Sequence, residues 1–379
     1  MNIPRLSRLK PLAVGFVAIV LSTLVFGQHY TETDLVSDVP GAPGQTPIID
    51  PNLQNPWGLV SSPTSPWWVS NNNSGTSTLY SIDAAGVVHI VPINAPKDLV
   101  AVPNAPSQPA PGTPTGIMFN GSNDFQLTPG NPAAFIFVTE DGTVQGWAGG
   151  PTATIKVDHS QVPDAANGAV YKGATIAEID GNKFILAANF RSGRVDVFDT
   201  NFKQVKISEE AFDDDRIPRD FAPFNVQAIG PNIYVTYAKQ DAPKHDPVGG
   251  TGFGFVAVFN SHGRMLTHLQ HGPWFNAPWG VVLTTEHFGE FSHTLLVGNF
   301  RGGTIAAFNP LTGRFLGNVL KADGTTLTID GLWALRFGND HSAGPATTLF
   351  FTAGINGEKD GLFGTLTPVA PELREDDEQ

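Results

Sequence analysis

The chain has 379 residues, among them 41 Gly, 31 Pro and no Cys, so neither a disulfide-stapled scaffold nor a zinc-thiolate site is available to it. Only 15% of residues are charged and 26 are Phe, which leaves enough apolar side chain for a large core without covalent staples. The formal charge of −13 argues against nucleic acid and anionic membrane surfaces as partners.

At the N-terminus, Arg5, Arg8 and Lys10 precede the almost wholly apolar run Pro11 to Phe26, and "VFGQ" offers Val25 and Gly27 at the small-residue positions of a cleavage site. Residues 1–27 are therefore read as a signal peptide, which makes the mature protein secreted or periplasmic. The alternative is an uncleaved anchor, although a 16-residue run falls short of the roughly 20 residues that span a bilayer. Cleavage removes the three basic residues and takes the charge from −13 to −16, so no membrane association is expected afterwards.

Beyond Gly27 no stretch holds helical periodicity over three turns, and short apolar runs alternate with Gly and Pro, the pattern of strands and turns. "TETDLVS" at Thr31 is a first strand standing alone. Six lead-in segments then follow: "NPWGLV" at Asn55, "PTGIMF" at Pro114, "KGATIAEI" at Lys172, "APFNVQAI" at Ala222, "NAPWGVVL" at Asn276 and "DGLWALRF" at Asp330. Aligned on Gly58, Gly116, Ala174, Asn225, Gly280 and Ala334, they step by 58, 58, 51, 55 and 54 residues. Each lead-in precedes a later Gly turn, as in "NFRSGRVDVFD" at Asn189 and "NFRGGTIAAFN" at Asn299. Each unit has room for four strands, joined in the third by "DGN" and "RSG" turns.

Six such units predict an all-β fold, a six-bladed β-propeller of four-stranded blades over residues 28–369. The sixth unit lacks a last strand, so the spare N-terminal strand is expected to complete it and close the ring, removing two free edges. Residues 370–379, ending "REDDEQ", read as an acidic disordered tail. Phe190 and Phe300 are expected to wedge between blades. Trp57, Trp279 and Trp333, at one point of three blades, read as packing residues rather than stacking platforms for a ligand.

In a propeller the loops before the inner strand and between the second and third strands share one face. That places Asn189, Arg191, Asn299, Arg301 and Lys239 as ligand-binding candidates, with the two Arg able to take an anion. The oxygen-rich set Asn55, Asn225, Asn276 and Asp330 descends from equivalent positions about the axis and is the candidate for a Ca²⁺ site. Asp330, with Asp241 and His245 of the insertion "AKQDAPKHDPVGG", forms the catalytic candidates. No metalloprotease, EF-hand, phosphate-loop or nucleophile-elbow motif occurs.

Together "NPWGL", "NAPWGVV", "NFRSG", "NFRGG", "YAKQDAPKHDPVGG" and "GFVAVFN" resemble a family of exported bacterial six-bladed propellers related to NHL-repeat propellers, without an assigned activity. The resemblance spans Tyr30 to Val369 and implies the same fold and an extracytoplasmic location. Two functions stay open. One is a monomeric binding scaffold whose mouth loops hold a small molecule, a polymer or an exported protein. The other is a Ca²⁺-dependent hydrolase similar to six-bladed lactonases and esterases, from whose pattern this chain departs in having no Glu at an inner-strand lead-in.

Overall fold

The computed structural model describes residues 29–41, 45–93, 99–208 and 210–369. The expected signal peptide and acidic tail lie outside the described residues. Within them, six sheets follow one another along the chain, each with an antiparallel four-stranded core running from an inner strand outwards, and three of them carry one or two short extra strands. The inner strands are Pro56–Val60, Pro114–Phe119, Tyr171–Ile179, Phe221–Ile229, Pro278–Leu283 and Leu332–Phe337. Each neighbours the next, and the sixth neighbours the first, so the sheets close into a ring as the blades of a propeller.

Closure comes from the N-terminal strand His29–Ser37. It pairs antiparallel with Leu362–Pro368 and becomes the outer strand of blade six, as the spare strand in the sequence suggested. Tight turns follow their residue types. Asp180 and Gly181 both have positive φ (51° and 78°), the requirement of a two-residue hairpin, and Gly193 and Gly303 turn the two Asn-Phe-Arg hairpins with φ of 71° and 66°.

Alternation along the strands sends apolar side chains into the gaps between blades. Met118, Ile136 and Val144 of blade two pack with Ala174, Ile185 and Phe198 of blade three, and similar buried clusters fill the other gaps. A fully buried Phe or Val side chain contributes about 1.5–3 kcal/mol, so these seams hold the ring together. At the axis the backbones crowd. A Cβ on Gly58 would lie 2.5 Å from the Thr115 carbonyl oxygen, and one on Gly280 2.5 Å from that of Trp333. In blade three Gly173, one residue before the aligned Ala174, takes this position: a Cβ there would lie 2.1 Å from Asn225 Oδ1.

The closing strand carries a pH-sensitive seam. Glu32 and Asp34 line a cavity with Asp330, and burial first, then repulsion from Asp34, pushes the Glu32 carboxyl up to about 7, with Lys321 opposing. The folded state therefore favours protonated Glu32. Its contribution is intact below the unfolded value near 4.5 and is lost as pH rises through 7. After allowing for partial exposure, wild-type protein should lose roughly 1–2 kcal/mol between pH 5 and pH 8, and Glu32→Gln should abolish that fall. Melting curves across this range check it; parallel profiles for the two proteins would exclude Glu32 as the source.

Candidate functional site

Every inner strand departs from regular pairing at the same point. Register shifts follow Pro56, Tyr171, Pro223, Pro278 and Leu332, and one faces Pro114 in blade two. A bulge inserts a residue and re-aims its side chain. The residues just after these points are Trp57, Thr115, Lys172, Phe224, Trp279 and Trp333, one per blade. Trp57 stacks on Trp333 at 3.5 Å between centroids, and Trp279 meets both edge-on, at 6.2 and 5.8 Å. Phe300 of the second Asn-Phe-Arg hairpin stacks on Trp333 at 3.9 Å, and Phe190 of the first packs on Phe224 at 5.5 Å. The rings form a buried aromatic plug across the mouth of the channel.

Lys172 breaks the pattern. It takes the position that Trp occupies in three blades, and its side chain is 0% exposed. The ammonium lies 5.3 Å from the Trp57 ring centroid and 5.8 Å from that of Phe190, a cation against aromatic faces. It donates to Glu140 Oε1 of blade two and, at 3.2 Å, to Asp246 Oδ1 of the blade-four insertion. Glu140 also accepts from Asn72 Nδ2 at 2.8 Å. The hydrogen bond from His245 Nδ1 (2.9 Å), with the nearby ammonium also contributing and burial opposing, holds Asp246 well below the usual carboxylate range. Ligand atoms of Glu140, His245 and Asp246 lie within 4.8 Å of one another, a grouping able to hold a metal. Lys172 already supplies positive charge to its two carboxylates, and a divalent cation there would meet that charge at close range.

Beside this centre is a pocket of about 180 Å³ whose lining includes Gln108, Glu140, Asp141, Ser160, Arg191 and His245. Two buried polar atoms here, Arg191 Nε and Asp141 Oδ1, lack hydrogen-bond partners among the described residues. Burial raises the Asp141 carboxyl above its ordinary value against the bond that Oδ2 accepts from the Ala105 N–H. Arg191 Nη1 donates to the Gly168 carbonyl at 3.1 Å.

The other sequence-derived candidates are dispersed. Asn189 and Asn299 staple their hairpins to the lead-in segments: Asn189 Oδ1 accepts from the Val170 N–H, Asn299 Oδ1 from the Asn276 N–H, and both amides donate within their own blade. Arg301 lies over the Phe300 ring and 3.7 Å from Glu358, and among the described residues no shared partner links it to Arg191. Lys239 pairs with Asp220 at 3.1 Å, and Asp241 accepts from the His245 N–H, shaping the insertion. Of the oxygen-rich set, Asn55 accepts from Trp333 Nε1, Asn225 donates to the Trp279 carbonyl, Asn276 accepts from the Gly250 N–H, and Asp330 accepts from the Asn356 N–H. Among the described residues no side-chain hydrogen bond joins any two of these four.

Lys172 opens the third lead-in segment and Glu140 and Asp141 lie in the turn between Phe135–Thr139 and Thr143–Trp147 of blade two, and none of the three is among the candidates read from the sequence. The signal that singles out Lys172 is a cation at a repeat position otherwise filled by Trp or Phe in four blades, visible once the blade is aligned on Gly173.

No family model matches the sequence. A streptogramin B lyase structure aligns with 90% of this chain and 98% of its own at 12% identity and a TM-score of 0.47, a level that carries no argument about chemistry. Uncharacterized protein R648 of Acanthamoeba polyphaga mimivirus is 29% identical over 330 residues, 85% of this chain and 77% of that protein. Viral relatives lend no support to the bacterial, exported family suggested by the motifs. With 30% identity over 327 residues, covering 84% of this chain and 81% of the relative, the chain belongs to the family of uncharacterized protein L690 of Acanthamoeba polyphaga mimivirus.

Proposed function

We propose that this protein is a binding propeller whose mouth takes a small hydroxylated acid, with Arg191 anchoring the anionic group. One observation carries the reading: a guanidinium in a pocket with its Nε buried and unpartnered. A buried donor without an acceptor is costly, and the half-buried guanidinium, part of the pocket lining, is placed to meet a ligand carboxylate through charge-assisted bonds. Asp141, in the same lining, supplies a carboxyl group for a ligand hydroxyl. The apolar run before Gln28 supports action outside the cytoplasm, where small acids are exchanged between cells and medium.

A panel of sugar acids and hydroxy acids, run against matched neutral sugars in thermal melts, tests the proposal. An acid that binds should raise the melting temperature by about 2–4 °C at saturation, the neutral sugars should not, and Arg191→Leu should lose the shift. If no acid moves the transition, or if Arg191→Leu responds like wild type, the reading fails. A metal-dependent hydrolase is the second reading, favoured by the grouping of Glu140, His245 and Asp246 and opposed by the Lys172 charge against two of them. A saturable rise with Ca²⁺ in EDTA-treated protein would turn the assignment towards it.

A further inference from the structure

The pocket beside the Lys172 centre is small. Its volume of about 180 Å³ lies below the roughly 300 Å³ at which sites for drug-sized ligands begin, and equals about six water molecules' share of liquid. Three connections build it: residues 102–113 between blades one and two, the Glu140–Asp141 turn of blade two, and residues 159–170 between blades two and three. Arg191 of blade three and His245 of the blade-four insertion complete the lining.

Part of the lining is saturated hydrocarbon, from Pro109, Pro111 and Val170, and none of it is Phe, Tyr or Trp. Both prolines are exposed, so their rings offer apolar surface for a ligand to cover. Uncharged polar groups with capacity to spare accompany them. Gln108 uses its main chain, donating its N–H to the Ala105 carbonyl and accepting from Asn104 Nδ2, and its side-chain amide has no partner among the described residues. Thr113 Oγ1 accepts the Asp141 N–H at 3.2 Å and keeps its own proton to donate. Unlike the buried orphan atoms nearby, these two side chains are partly exposed and open to a ligand.

We infer that the acid held at the mouth is a single hexuronate ring, its carboxylate on Arg191 and its hydroxyls on Gln108 and Thr113; this rests on the acid-binding reading above. A pyranose ring carries C–H faces for the proline surface and an edge of hydroxyls for the amide and the threonine. An aromatic acid would find no aromatic ring to stack on. A two- or three-carbon hydroxy acid on Arg191 leaves the rest of the pocket to water. An open-chain six-carbon acid bears the same groups, but it must give up rotational freedom that the ring has already lost. A second ring has no room and stands outside, so the bound ring is a free sugar acid or the end unit of an acidic polysaccharide.

Calorimetric titration of the full chain with glucuronate and galacturonate, each against its open-chain counterpart gluconate or galactonate, tests the inference. At least one uronate should bind about tenfold tighter than its counterpart. Gln108→Ala, which removes a side chain with no partner in the fold, should weaken that uronate about fivefold, the worth of one hydrogen bond. Trigalacturonate separates the two sources. Affinity equal to galacturonate assigns the end of a polymer and its loss assigns the free sugar acid, and both keep one ring in the pocket. A trimer bound more than about tenfold tighter than the monomer shows that further rings are held, and overturns the inference. So does an open-chain acid that binds as well as its uronate, which leaves acid binding at Arg191 standing. Unchanged uronate affinity in both Gln108→Ala and Thr113→Val overturns it as well. If no acid of either kind binds, the acid-binding reading has failed and the ring falls with it.

Discussion

Replacing Lys172 with Met should lower stability by about 3 kcal/mol, because it removes one partner of a buried ion pair and leaves the other charge behind. Glu140 carries the larger share of that penalty. Its side chain is 10% exposed and keeps only Asn72 among its present donors, whereas Asp246 is 60% exposed and is rehydrated easily. Adding Glu140→Gln to Lys172→Met should then recover part of the loss, since a neutral amide is cheaper to leave in the same place. Urea denaturation of wild type, the single variant and the double variant measures both numbers. A loss under about 1 kcal/mol for Lys172→Met would show that the pair is not energetically coupled to folding.

The second large effect concerns the plug. Trp333→Ala should cost about 3–5 kcal/mol, the range for truncating a large buried aromatic. Trp333 is fully buried between Trp57 and Phe300, and its indole N–H donates to Asn55 Oδ1 at 3.1 Å. The substitution therefore opens a cavity at the axis, removes two stacks and frees a polar atom at once. Trp333→Phe keeps one ring in place and should cost about 1–2 kcal/mol. Chemical denaturation with near-UV circular dichroism reads both variants. Equal, small losses would mean that the mouth collapses around the gap and that the plug is not rigid.

The two predictions meet at one structural fact, the bulge near the start of each inner strand. It aims Trp57, Phe224, Trp279 and Trp333 at the axis, where they seal the channel. It aims Lys172 there too, so a charge is held against the plug while carboxylates from blades two and four reach over to it. The mouth is thus a solid floor with a charged centre, and the pocket lined by Arg191 and Asp141 lies beside the axis rather than down it.

The sequence carried the architecture because propeller order is local. Lead-in segments, hairpin glycines and alternating strands recur within each unit, and counting them yields six blades. A missing last strand in the sixth and a spare one at Thr31 yield the closure seen between His29–Ser37 and Leu362–Pro368. The site was less visible because its members come from different blades. Asn189 and Asn299 look like exposed amides in a turn, yet their polar atoms are engaged within their blades, a role set by the distance between hairpin and lead-in segment. Arg191 and Arg301 share a motif and diverge in surroundings, since one has Gly168 and an open pocket beside it and the other has Glu358.

Periodicity along one chain can specify a strand, a turn and a blade, because neighbours in sequence are neighbours in space. It cannot state which side chains meet across the axis, since that depends on a bulge displacing the register by a residue and on six blades closing to a common radius. Lys172 with Glu140 and with Asp246 are pairings of residues 32 and 74 positions apart. Only ring closure brings them within reach, and burial in that closed ring is what gives their charges chemical consequence.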